Sequence, residues 1–186
     1  MNFRGSYELN AKVVDVWENL NNPDVLKSCI DGCKEFEEIN NNQFKAKIVI
    51  KLGPVNAIFN SLISINNIIE QKSYDIEAEG NAGSLGLASG KIKVLLEEKG
   101  EMTSLTYNAN SKINGKLAQL GSRLIDGSVR KNTEKFFKNF EFALIKDDKQ
   151  RLILSEKTLP IKKTRKIHIF LIFTLLLLLI ICFKFL

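Results

Sequence analysis

The sequence predicts an α+β fold: a curved antiparallel sheet wrapped around a long C-terminal helix, followed by a basic linker and one transmembrane helix. Three observations carry that prediction. Between Phe44 and Ala109, apolar and polar residues alternate in runs broken by Gly, Pro, Asn and Asp, the period of half-buried strands. From about Lys116 to Ile145 the apolar residues recur at helical spacing instead. The last twenty residues, Ile167–Leu186, are almost wholly apolar, and at 1.5 Å per residue they span a hydrocarbon core about 30 Å thick. Strands in succession with one terminal helix give an α+β order.

The elements follow in order. Phe3 to Leu9 reads as the first strand, with Phe3, Tyr7 and Leu9 set among polar residues. Asn10 is suited to cap a short helix carrying Val13, Val14, Trp17 and Leu20 on roughly one face. Asn22-Pro23 opens a second short helix, because proline at the first helical position gives up an N–H that has no helical partner anyway. Its apolar residues are Val25, Leu26 and Ile30, and Asp31-Gly32 turns the chain out of it. Phe44, Ala46, Ile48, Ile50 and Leu52 then alternate with Lys45, Lys47, Val49 and Lys51, and Gly53-Pro54 makes a turn. Val55, Ala57, Phe59, Ile63 and Ile65 continue the pattern on a second long strand. Tyr74, Ile76 and Ala78, then Ile92, Val94 and Leu96, then Leu105, Tyr107 and Ala109 give three more. The stretch holding Gly80, Gly83, Gly86 and Gly90 is too glycine-rich for an ordinary strand interior. It reads as a turn plus a bulged strand where another group approaches the backbone closely. Leu117, Leu120, Leu124, Val129, Phe136, Phe137, Phe140 and Leu144 make the helix stripe. Facing an apolar strand face, such a stripe either fills a core or lines a pocket.

Charge separates the domain from its tail. Residues 1–144 hold 18 Lys+Arg against 18 Asp+Glu, whereas residues 145–166 hold 8 against 3. The positive excess therefore lies beside the apolar tail and not on the folded surface, which argues against nucleic acid and for a membrane surface. No charge interrupts Ile169–Phe183, and each central Leu, Ile or Phe favours insertion by about 0.3 to 0.6 kcal/mol. Lys162, Lys163, Arg165 and Lys166 flank the N-terminal end of the span, so the expectation is a single-pass cell-membrane protein with its soluble domain on the cytoplasmic side. Lys184 can snorkel to the far interface. The first residues lack an apolar signal segment, and a secreted protein is not expected. The expected division is a domain over residues 1–145, a linker over 146–166 and the span over 167–186.

The chemistry of turnover is missing. The only histidine, His168, stands at the membrane boundary, so Ser-His and Cys-His pairs and His-based metal sites are excluded from the domain. There is no Gly-x-Ser-x-Gly elbow and no phosphate-binding loop with its lysine. Cys29 and Cys33 are four apart but have no further ligands near them, and read as ordinary thiols. Asp31, Glu35, Glu37 and Glu38 cluster in what reads as a solvated surface turn. Arg123 and Asp126, three apart on the long helix, read as a pair or as part of a cavity mouth. The expectation is a binding protein, not an enzyme.

Three stretches carry a resemblance. Gly-Lys-Leu-Ala-Gln-Leu-Gly-Ser-Arg-Leu-Ile-Asp-Gly at Gly115–Gly127 is long and specific. Lys-Leu-Gly-Pro-Val at Lys51–Val55 with Phe59, and Cys-Ile-Asp-Gly-Cys at Cys29–Cys33, support it, the last with Asp31 where proline is usual. On these the chain resembles the CoxG family, the G subunits of carbon monoxide dehydrogenase, within the START/SRPBCC helix-grip superfamily. The resemblance covers essentially Met1–Leu144. It implies an elongated apolar cavity between sheet and helix, and association with a molybdenum hydroxylase of the carbon monoxide dehydrogenase type. It also implies handling of a membrane quinone or similar isoprenoid lipid, with no covalent cofactor. Phe59, Tyr107, Leu117, Leu120, Leu124, Phe136 and Phe140 are the candidate cavity residues, and Ser122 and Arg123 the candidates at its mouth. Two functions follow: a carrier shuttling the ligand between bilayer and enzyme, or an adaptor that only recruits the enzyme to the membrane.

Overall fold

In the computed structural model the chain forms β1 (Asn2–Leu9), α1 (Val13–Leu20), α2 (Pro23–Cys29), β2 (Cys33–Asn40), β3 (Gln43–Leu52) and β4 (Val55–Ile69). There follow β5 (Ser73–Asn81), β6 (Leu87–Lys99), β7 (Met102–Ile113) and α3 (Ser122–Lys157), with short 3-10 turns at Gly83–Leu85 and Gly115–Leu120. The structure describes residues 1–157. The end of the expected linker and the apolar segment Ile167–Leu186 lie outside the described residues. Among the described residues no helix is long and apolar enough to cross a membrane.

All seven strands make one antiparallel sheet in the order β1-β7-β6-β5-β4-β3-β2. Each neighbouring pair from β2 to β7 is a hairpin, and β1 closes the far side by pairing with β7. Residues opposite each other share a face, so the alternation in β3 to β7 sets one apolar face toward the helices. Leu9, Val16, Cys29, Leu105 and Phe140 are almost fully enclosed there. Residues Met1–Asp148 form one compact unit, and with Lys149 the chain passes into a second.

Several expectations change on contact with the structure. α1 is preceded by Lys12, with no side-chain cap from Asn10; its first turn is compensated by Asp15, a negative charge at the positive end of the helix. It buries Val13, Val16 and Leu20, while Val14 is exposed. Asn22 does cap α2, its side-chain oxygen accepting from the Asp24 and Val25 amides at 3.0 and 3.4 Å. Glu35, Glu37 and Glu38 lie on an edge strand, β2, and not in a turn. Only Phe36 of that strand is buried, which is why its period is faint in the sequence. The glycine-rich segment is a turn, but the β5–β6 ladder on either side of it runs without a bulge from Ser73–Leu95 to Asn81–Leu87. The long helix begins at Ser122 and not Lys116, because Gly121 sits at φ 81°, a left-handed conformation that interrupts a right-handed helix. It then continues past Ile145 to Lys157, so the first part of the basic linker is helical. No glycine or proline occurs between Ser128 and Lys157 to stop it.

Candidate functional site

Side-chain size along the inward face of the sheet divides the interior. One row across the strands reads Ser61, Gly80, Ala88 and Ile113; the next reads Ile63, Ala78, Gly90 and Ser111. Most of these side chains are small, so they leave space beneath α3. The next rows are bulkier: Ile65, Ile76 and Ile92, which ends in Ala109 at the cavity wall, then Tyr74, Val94 and Tyr107. These large side chains meet Phe137, Phe140 and Leu144 of α3 in the main core. Over the small rows α3 presents Ile125, Ser128, Val129, Asn132 and Thr133, and the result is a cavity of about 390 Å³. That volume lies in the range of small-molecule sites, about 300–1,000 Å³. None of the described residues that line it is charged.

The outer end is shaped by loops. Leu52, Ala57, Phe59, Ala82 and Leu117 form a buried apolar cluster there, with Leu120 packed against it. Gly80 lets the Phe59 ring pack close to the wall, since a Cβ would stand 3.0 Å from that ring. Gly86 and Gly115 bring the two 3-10 turns into backbone contact; a Cβ on Gly86 would fall 2.1 Å from the Asn114 carbonyl oxygen. This is the close approach that the glycine run implied. Leu124 lies beside Gly53 of the β3–β4 turn and is 43% exposed.

Beyond the cavity lining, aromatic rings stack in the main core. Tyr7 and Phe137 stack with centroids 3.7 Å apart, Tyr107 follows at 6.4 Å, and Phe136 stacks on Phe140 at 5.8 Å. Tyr107 reaches this position because its register partner is Gly5, where a Cβ would meet the ring at 2.6 Å. Burial, then the neighbouring Tyr107 and Glu134, pushes the Tyr7 phenol upward. A groove between the β1 edge and α3 shares Phe3, Val129 and Thr133 with the cavity and carries Arg4, Asp126, Arg130 and Glu134. A larger depression of about 920 Å³ lies among Arg4, Asp75, Glu77, Lys91 and Lys93; it is open and charged, unsuited to an apolar ligand.

The sequence candidates divide accordingly. Phe59 and Leu117 line the cavity. Leu120 supports its outer end from behind, and Leu124 sits outside, beside Gly53. Phe136 and Phe140 lie in the main core, Phe140 with no exposed surface. Tyr107 borders the side groove. Ser122 and Arg123 are exposed on the first turn of α3 and are absent from the lining. Among the described residues Arg123 and Asp126 form no ion pair, and Asp126 faces the side groove. The polar residues of the lining are instead Ser61, Ser89, Asn110, Ser111, Ser128, Asn132 and Thr133. No cluster of metal-ligating side chains occurs among the described residues. Cys29 and Cys33 are free thiols whose pKa values burial pushes up.

The family model for CoxG, the G subunit of carbon monoxide dehydrogenase, matches residues 5–145. The chain belongs to this family. Among solved structures it is similar to a conserved protein from Geobacillus kaustophilus, at 30% identity and TM-score 0.74, covering 78% of this chain and 96% of that one. A protein from Thermus thermophilus matches at 12% identity and TM-score 0.60, covering 79% and 99% of the two chains. A START superfamily protein from Mycobacterium smegmatis matches at 10% and 0.58, covering 78% and 97%. The last two show the fold alone. Among curated proteins none matches the sequence. The CoxG domain thus has a START-like fold.

Proposed function

We propose that this CoxG domain takes up an uncharged apolar ligand, a quinone or similar isoprenoid lipid, and carries it between the bilayer and a molybdenum hydroxylase of the carbon monoxide dehydrogenase type. The observation that supports this most is the cavity: about 390 Å³ between sheet and helix, with an apolar outer end and no charge on its walls. An ionised ligand group buried there would lack a counter-charge and lose most of its hydration, whereas a quinone ring loses little. At roughly 30 Å³ for each water-sized group, the space takes on the order of a dozen such groups. It holds a ring and the first part of its tail, and a longer tail leaves through the outer end. Each Å² of apolar tail removed from water contributes about 25 cal/mol, and the bilayer offers the same, so transfer is close to balanced and reversible.

The membrane side of the proposal rests on sequence. The uncharged segment Ile169–Phe183 and the flanking Lys162, Lys163, Arg165 and Lys166 suit a single cytoplasmically oriented tether. A carrier held beside the bilayer meets a concentrated reservoir of apolar ligand.

The test is thermal unfolding of the full chain in detergent, with and without a short-tailed benzoquinone. A ligand at a hundred times its Kd stabilises the folded state by about 2.7 kcal/mol, several degrees of Tm for a domain of this size. No shift at saturating quinone rejects the carrier and leaves a recruitment adaptor as the function.

A further inference from the structure

The cavity has a direction. Its outer end is bounded mainly by the apolar Leu52, Phe59 and Leu117, and the one hydroxyl beside them, Ser128, already donates to the Lys51 carbonyl at 3.3 Å. Further in, β7 contributes Ser111 and α3 contributes Asn132 and Thr133, one turn before the Phe136–Phe137 pair of the main core. The Ser111 hydroxyl is buried and, among the described residues, has no hydrogen-bond partner. Its backbone is fully engaged: the Ser111 amide donates to the Met1 carbonyl at 2.8 Å, and the Ser111 carbonyl accepts from the Met1 amino group at 2.7 Å. The hydroxyl alone is left over. Its register neighbour is Gly90, and the missing side chain there keeps the wall beside the hydroxyl open. Buried hydroxyls are nearly always bonded, so an unpartnered one on a cavity wall is free to bond an atom that enters the cavity.

We propose that this inner end is a polar subsite in which Ser111, Asn132 and Thr133 hold a hydrogen-bond-accepting atom of an uncharged ligand, its tail running outward past Phe59 and Leu117. The inference rests on the carrier reading and adds a ligand class and an orientation to it. The recognised head is neutral and bears a carbonyl-type acceptor, because hydroxyl and amide groups donate to such an atom and no cation is present to neutralise an acid. The head enters first. Ser122 and Arg123, on the exposed first turn of α3, play no part in binding it. Through Thr133 and Val129 the head end adjoins the side groove along β1, so it stands near a second surface while the tail occupies the first opening.

The full chain in detergent is titrated calorimetrically with two probes of equal tail length, a decyl-substituted benzoquinone and a decyl-substituted benzene lacking both carbonyls. Ser111→Ala weakens the quinone about tenfold, the effect of one neutral hydrogen bond, and leaves the hydrocarbon probe unchanged. The near-isosteric Thr133→Val shifts the same probe in the same direction. The Tm of unliganded Ser111→Ala is equal to or above that of the parent, since a buried unpartnered hydroxyl has been removed. Variants that bind both probes as the parent does overturn the subsite while the carrier reading stands. Folded variants that lose both probes equally also overturn it, because wall packing and not polar recognition is then at work. A parent chain that binds neither probe overturns the carrier reading itself.

Discussion

The two halves of the sheet's inner face share one backbone design and end in opposite states. Toward the Leu96 and Leu105 end, Tyr74, Val94 and Tyr107 stand across from Phe137 and Phe140, and the space is filled. Toward the Ala88 and Ile113 end, Ala78, Gly80 and Gly90 stand across from Ser128 and Asn132, and a cavity lies between them. Register and strand length continue unbroken from one half to the other. Side-chain volume alone decides which half is core and which is site. The largest buried cluster therefore lies at one end, and the cavity lies toward the other.

Substitutions separate these roles. The largest effect belongs to Phe140→Ala, which removes a fully enclosed ring from the filled half. It costs about 3–5 kcal/mol, read as a lower denaturant midpoint, and a loss below about 1 kcal/mol would contradict the division. Gly90→Leu acts on the open half. Gly90 has ordinary negative-φ geometry and a Cβ there meets nothing closer than 3.4 Å, so the new side chain fills the void. Quinone binding falls at least a hundredfold while the melting temperature stays within a few degrees of the parent.

A pH series sharpens the contrast. The cavity wall carries no titratable side chain, so quinone affinity stays flat from about pH 5 to 9. Stability does not stay flat at the alkaline end. Burial raises the phenols of Tyr74 and Tyr7 above the ordinary value of 10.0. The unfolded chain gives up these protons first, so their contribution is complete below about pH 10 and is lost as pH rises through the folded values. The smallest effect is Lys135→Ala, which breaks an ion pair with Asp31 between side chains about half exposed. It costs less than about 1 kcal/mol and leaves binding unchanged.

The filled half was far easier to read from sequence than the open one. Strands β3 to β7 announce themselves because one face is buried and the other solvated, whereas β2 buries only Phe36 and hides among glutamates. Helix periodicity identified α3 but could not say which stripe residues face a void. Phe136 and Phe140 have the right spacing for a cavity wall, yet the rows opposite them are bulky and the rings complete a core. What hollows the site is the smallness of Ala78, Gly80, Ala88 and Gly90, and in sequence the glycines among them signal a turn as readily as a void. Ser111 carried no local signal at all. Its importance depends on Gly90 standing beside it in the β6–β7 register and on Asn132 and Thr133 also lining the cavity, relations that exist only once the sheet is assembled.

The central claim, that the open half is a loaded carrier site, is tested most directly by extracting bound lipid from full-length protein purified from native membranes. The parent chain and Gly90→Leu are extracted side by side, so lipid held only by the tail or the detergent cancels. Mass spectrometry finds approaching one quinone or similar neutral isoprenoid per parent polypeptide and almost none in the variant. Equal amounts in both would contradict the account, because the ligand would then not be in the cavity.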